Sequence, residues 1–114
     1  MPHEQLLRAA YVAFNARDID AAVALMTPDV DWPNAWEGGR VVGREAVRDY
    51  WTRQWSEIDP HVEPLTFTAR GPDEVAVEVH QVVHALDGAT LVDGRVTHVY
   101  RVRDGLVARM DVED

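Results

Sequence analysis

Two extended stretches carry most of the side chains that could move a proton. From Arg95 to Arg103, period-two alternation puts Val96, His98, Tyr100 and Val102 on one face and Arg95, Thr97, Val99, Arg101 and Arg103 on the other. Three arginines mark the second face as solvent or interface, so His98 and Tyr100 are predicted to point inward. An imidazole titrates near about pH 6.5 and burial tunes it, which makes His98 the natural acid or base of this chain. From Asp31 to Trp36 the same period places Trp32, Asn34 and Trp36 together. An amide between two indoles either meets a ligand oxygen or caps a turn at a half-buried edge.

His80 and His84 stand at i, i+4, which on a helix would suit a metal. In a strand, four residues span roughly 13 Å, too far for one ion, so no metal site is expected. The direction of His84 is open: strict alternation after Val75, Val77 and Val79 turns it outward. A bulge at Val82-Val83 would bring it beside His98.

Composition narrows the chemistry further. The 114 residues contain no cysteine and no lysine, and the only serine is Ser56. Thiolate, Schiff-base and serine-elbow catalysis are therefore excluded, leaving proton transfer by carboxylates, histidine, tyrosine or amides. No cofactor is expected. A formal net charge of −9 with scattered arginines argues against nucleic acid. No apolar run approaches a membrane span, and the first residues, Met1 to Glu4, include an acid and no apolar signal core. A cytoplasmic protein with one domain over 1–114 is the expectation.

The elements that must position these groups follow from periodicity. Leu6, Leu7, Ala10, Tyr11 and Phe14 share one helical face over residues 4–16. Asp18 is placed to cap a second helix whose stripe is Ile19, Ala22, Val23, Leu25 and Met26, stopped by Thr27-Pro28. A third helix runs from about Gly43 to Ile58 with Val47, Tyr50, Trp51, Gln54, Trp55 and Ile58 inward. Strands are predicted near 61–70, 74–86, 95–103 and 106–113, the last two joined by an Asp104-Gly105 hairpin. Helices followed by a meander give an α+β fold. Four tryptophans converging with Met26, Val96, Met110 and Tyr100 predict an apolar pocket lined by Trp32, Trp36, Trp51 and Trp55, with His84 a further candidate.

The segments Asp18-Ile19-Asp20-Ala21 and Val42-Gly43-Arg44-Glu45-Ala46-Val47, and the ending from Thr97 to Val107, resemble the SnoaL-like proteins. That resemblance places the chain among nuclear transport factor 2-like proteins, with ketosteroid isomerases, polyketide cyclases and limonene epoxide hydrolases. It implies a cone-shaped fold of three helices in a curved antiparallel sheet, a pocket at the open end, and often a homodimer through the outer sheet face. Aligned on these segments, the isomerase base falls on Asn34, the oxyanion tyrosine on Tyr11 and its protonated carboxyl partner on His98. An amide is no base, so the steroid proton shuttle is not expected. The resemblance implies instead an acid–base enzyme with His98, Tyr11 and Asn34 at its centre, acting on a hydrophobic oxygenated molecule, or a non-catalytic binder of one. Asp31, Asp93, Asp111, Glu113 and Asp114 are open candidates for carboxylates at the rim.

Overall fold

The computed structural model describes residues 3–113. Helix α1 (Glu4–Asn15) and the short α2 (Ile19–Ala24) are followed by β1 (Met26–Pro33), β2 (Arg40–Val42) and α3 (Arg44–Trp55). Four strands complete the chain: β3 (Ile58–Ala69), β4 (Glu74–Ala85), β5 (Thr90–Arg103) and β6 (Leu106–Glu113). They form one sheet in the order β2-β1-β6-β5-β4-β3.

The predicted meander is present in β3 to β6, all antiparallel. The sheet as a whole is mixed, because β1 runs parallel to β6. At its edge β2 pairs antiparallel with β1, a strand of three residues, too short to show an alternation of its own. Register shifts near Pro64/Thr66, Val83/His84 and Arg101/Val102 interrupt the ladders. Such bulges raise the local twist and bend the strands, which curls the sheet toward the helices.

Local chemistry sets the boundaries. Asp18 caps α2, its carboxylate accepting from the Ala21 N–H at 3.1 Å. The second helix ends at Ala24, so Met26 opens β1 instead of closing the α2 stripe, and Thr27 and Pro28 lie within that strand. Pro28 is tolerated there near the strand's beginning, where the ladder to β6 is irregular. Gly43 precedes α3 with φ +96°, a backbone few side chains adopt, and its N–H reaches the Val30 carbonyl at 2.8 Å. Arg44 follows by donating to the Met26 carbonyl. The third helix stops at Trp55, and β3 takes up Ile58 to Pro60, which the sequence reading left to the helix end.

Helix α1 is pinned at its other end by Asn15, whose amide donates to the Val62 carbonyl at 2.8 Å and accepts from the Val62 N–H at 3.0 Å. The core between helices and sheet holds Leu7, Val30, Val47, Val75, Val77, Val79, Tyr100 and Val107. Inward residues of β4 alternate as Val75, Val77, Val79, Gln81 and Val83, a valine row broken by one amide.

Candidate functional site

Helix α1 crosses the concave face so that Tyr11 meets the inward residues of β5. The Tyr100 hydroxyl donates to the Tyr11 hydroxyl at 2.8 Å. Tyr11 in turn lies 2.8 Å from His98 Nδ1. Because the Tyr11 oxygen receives the Tyr100 proton, its own proton goes to Nδ1, and the neutral imidazole keeps its hydrogen on Nε2. This is the arrangement in which both phenol protons have an acceptor. The Tyr11 and His98 rings are stacked with planes 11° apart, and Tyr100 stands edge-on to both.

Burial fixes the charge state. His98 is 8% exposed, and desolvation pulls its pKa down to about 4, so the ring is neutral at physiological pH. Burial raises both phenols above the ordinary tyrosine range, with Tyr100 adding to the effect on Tyr11. Neither ionises under ordinary conditions. Among the described residues Nε2 has no protein partner, so Nε2–H is the free hydrogen-bonding edge of the chain.

That edge belongs to the wall of a half-open cavity of about 130 Å³. Phe14, Trp32, Trp51, Val62, Tyr100 and Met110 supply apolar surface; Tyr11, Tyr50, Gln54, Gln81 and His98 supply the polar atoms. No charged side chain is among the lining residues. A closed cavity of about 150 Å³ holds one benzene ring, so this one encloses a single ring and leaves a larger molecule projecting through the mouth. Trp51 is clamped edge-on by Phe14 and Trp32, at centroid separations of 5.2 and 5.5 Å, which makes the wall stiff.

Of the sequence candidates, Tyr11, His98, Tyr100, Trp32, Trp51 and Met110 are brought together here. The other six stand elsewhere. Asn34 is buried, yet its amide is spent within its own turn, Nδ2 donating to Glu37 Oε1 at 2.9 Å and Oδ1 accepting from the Glu37 N–H at 2.7 Å. The amide caps this turn: β1 ends at Pro33, so the alternation that aligned Asn34 with Trp32 lapses. Trp36 is 42% exposed and donates through Nε1 to Glu57. Trp55 lies behind Phe14 and Trp51, at 5.3 and 5.6 Å, and borders a separate cleft. Met26 is core beneath a small void behind Trp32 and Trp51, and Val96 packs on the core away from the cavity.

His84 lines that separate cleft with Arg17, Trp55 and Asp59. The register shift falls between Val83 and His84, and His84 pairs across the sheet with Asp59, while His98 pairs with Val77 and Val112. The two histidines are therefore not neighbours. His80 bonds Asp93 at 2.6 Å.

The rim acids are occupied. Asp31 and Asp111 both bind Arg40 and Arg109, and Glu113 binds Arg70. Asp114 lies outside the described residues. Among the described residues no cluster of three His, Asp or Glu side chains is placed to hold a metal ion, and no helix is long and apolar enough to cross a membrane.

Gln81 and Gln54 also line the cavity, although helical periodicity marks Gln54 only as part of a stripe. Gln81 had a signal, as the one amide in a row of inward valines. Tyr50 and Phe14 were indistinguishable from core.

Residues 7–110 match the SnoaL-like domain. No curated protein matches. Among solved structures, TerC co-crystallised with polyporic acid is 26% identical, covers 100% of this chain and 92% of its own, and superposes with a TM-score of 0.87. A protein from Xanthomonas campestris pv. campestris, provisionally assigned as a polyketide cyclase, is 28% identical over 96% of this chain and 87% of its own, with a TM-score of 0.81. A Mycobacterium tuberculosis protein in complex with estradiol-17beta-hemisuccinate is 23% identical, covering 97% and 92%, with a TM-score of 0.84; at that identity the likeness is one of fold.

Proposed function

This chain belongs to the SnoaL-like domain family, and on that premise we propose that it binds an uncharged, hydrophobic, oxygen-bearing molecule and polarises its carbonyl through His98. The observation that carries the reading is the unpartnered Nε2–H of a neutral imidazole in the wall of an uncharged cavity. A carbonyl oxygen seated against Nε2 accepts that hydrogen bond. As negative charge builds on the oxygen, the imidazole donates more strongly, Nδ1 draws on Tyr11, and Tyr11 draws on Tyr100. A preorganised donor in a dry site stabilises a developing oxyanion, typically by about 3 kcal/mol. The cavity-lining residues offer no carboxylate base, so the reaction is one that carbonyl polarisation promotes: ring closure or isomerisation of a carbonyl compound whose own acidic C–H bond, or water, supplies the proton. Similarity to TerC, crystallised with polyporic acid, and to the Xanthomonas protein supports a small organic ligand and cyclase-type chemistry.

The same missing base favours a second reading, a binder that returns its ligand unchanged. Tryptophan-fluorescence titration with steroids, terpenoid epoxides and aromatic polyketides, with product analysis of wild type and His98→Ala in parallel, separates the two. Product that disappears in the variant makes His98 catalytic. Saturable binding with the ligand recovered intact leaves the binder. No saturable change with any compound removes both.

A homodimer through the outer face of the sheet completes the proposal. That face carries Arg95 and Arg101 opposite Glu78 and Glu74. A monomer in sedimentation at micromolar concentration would exclude it.

A further inference from the structure

The amide that breaks the valine row of β4 is left unexplained by His98 and its two tyrosines. Gln81 lines the cavity; among the described residues its side chain has no hydrogen-bond partner, and neither of its polar atoms is sealed from solvent. Val79 and Val83, which flank it on the same face, are 0% and 5% exposed, while Gln81 itself is only half-buried. The surface it keeps therefore opens into the cavity. Its cross-strand neighbours on that face are Val62 of β3 and Gly94 of β5. Gly94 sits at no register shift of the β4–β5 ladder and has no positive φ, two common reasons for a glycine inside a strand. A methyl group placed on it would meet no atom within 4 Å. Open space thus runs on from Gln81 across Gly94.

Valine at both positions would suit the strands better, since glycine weakens a strand interior and an amide gains nothing on an apolar face. A ligand accounts for both departures. Resting on the reading of His98 above, we infer that Gln81 and Gly94 form a subsite for the part of the ligand that projects beyond the enclosed ring. The Gln81 amide offers one donor edge and one acceptor, so it pairs with an uncharged group that presents an acceptor and a donor side by side, such as a primary carboxamide or a lactam. Both hydrogen bonds form whichever way round the amide lies, because turning it over only exchanges the two ends. A charged group would find no counter-ion, as no charged side chain lines the cavity. His98 and Gly94 are four residues apart in β5, roughly 13 Å along the strand, so the carbonyl held by His98 and the second group belong to one elongated molecule. The substrate class is thus narrowed to aryl ketones that carry an amide at the end remote from the ketone.

The test uses two pairs of ketones that differ only in exchanging a carboxamide NH₂ for a methyl group: 4-acetylbenzamide with 1,4-diacetylbenzene, and 4′-acetylbiphenyl-4-carboxamide with 4,4′-diacetylbiphenyl. Each is titrated by ¹H–¹⁵N chemical-shift perturbation into wild type, Gln81→Val, Gln81→Met, Gly94→Val and His98→Ala. In wild type, at least one carboxamide is expected to bind about tenfold tighter than its diacetyl counterpart, the scale of one hydrogen bond, and to shift the Gln81 side-chain NH₂ signals. That preference should vanish in both Gln81 variants. In Gly94→Val the new side chain occupies the open space, so the biphenyl carboxamide should lose affinity relative to acetophenone. Carboxamides that bind no tighter than their counterparts in wild type, a preference that survives either Gln81 variant, or a biphenyl carboxamide indifferent to Gly94→Val would each overturn the inference. Acetophenone binding that His98→Ala weakens upholds the cavity reading whatever Gln81 does. Absence of any binding by wild type sinks that reading and this one together.

Discussion

The Tyr11 hydroxyl and His98 Nδ1 lie 2.8 Å apart, joining helix α1 to strand β5 across 87 residues of sequence. Their hydrogen bond does two things at once. It ties a helix to the sheet at a buried point, and it sets which imidazole nitrogen carries the proton. Tyr11→Phe keeps the ring packing and removes only the oxygen, leaving Nδ1 and the Tyr100 hydroxyl without their partner. Urea unfolding should show a loss of about 1–3 kcal/mol, the penalty for stranding buried polar groups. Carbonyl-ligand affinity should fall as well, because nothing then holds the hydrogen on Nε2. A variant as stable as wild type would mean that the three groups are not coupled.

Protonation of His98 opposes folding. Its folded pKa is depressed by desolvation to about 4, against about 6.5 for a free imidazole. Below the free value the unfolded chain binds more protons, so stability is full above about pH 6.5 and falls with acidity until the pH reaches about 4. The whole interval is worth about 3 kcal/mol, at roughly 1.4 kcal/mol per pH unit. The acids with lowered pKa, such as Glu37 beside Arg53 (held at about 2), weaken folding only at pH values below this window's upper part. Unfolding measured between pH 5 and 7.5 for wild type and His98→Asn therefore isolates the imidazole. The slope should flatten in the variant; parallel slopes would show that the folded imidazole takes up protons as readily as the unfolded one.

What the sequence made legible was the set of side chains on one continuous element. His98 and Tyr100 are two apart in a strand, and Tyr11 belongs to a helix stripe, so simple periodicity turned all three inward. It failed where an element ended. Alternation carried past Pro33 put Asn34 beside Trp32, although the chain had already left the sheet for the turn closed by Glu37. It also joined Met26 to a helix that stops at Ala24. The parallel pairing of β1 with β6 had no signal at all, since it depends on which edge the long connection reaches. Gln54 shows a different limit: helical spacing turned it inward, but whether its carbonyl finds a partner depends on where Tyr50 sits.

Restoring a carboxylate at position 34 should not restore a base. The Asn34 amide faces Glu37, and neither of its polar atoms borders the cavity. Asn34→Asp replaces a donated hydrogen bond with two acidic oxygens in contact, so the turn should weaken and melting should fall. Asn34→Ala, which removes both bonds without adding charge, should cost about 1–2 kcal/mol. Proton–deuterium exchange at the α-carbon of a bound ketone, followed by NMR, should be no faster in Asn34→Asp than in wild type. Faster exchange would mean that the turn rearranges and presents the carboxylate to the ligand.

Trp51 sets the size of the cavity, and its removal should trade stability for capacity. It is 3% exposed, packs edge-on to Trp32 and Phe14, and borders both the open cavity and the small void behind it. Tyr11, Trp32 and Tyr100 border both spaces too, but two of them belong to the hydrogen-bonded chain and Trp32 sits on the irregular strand β1. Trp51→Ala should therefore join the two spaces without touching the His98 donor. Truncating a buried indole costs about 3–5 kcal/mol, so the variant is measured at low temperature with urea midpoints as a check that it stays folded. Two-ring ligands should then gain affinity relative to one-ring ligands, while His98→Ala in the same background still weakens both. A uniform loss for all ligands would place the limiting wall at Trp32, and an unchanged preference would mean that ligands bind at the mouth and never reach the indole.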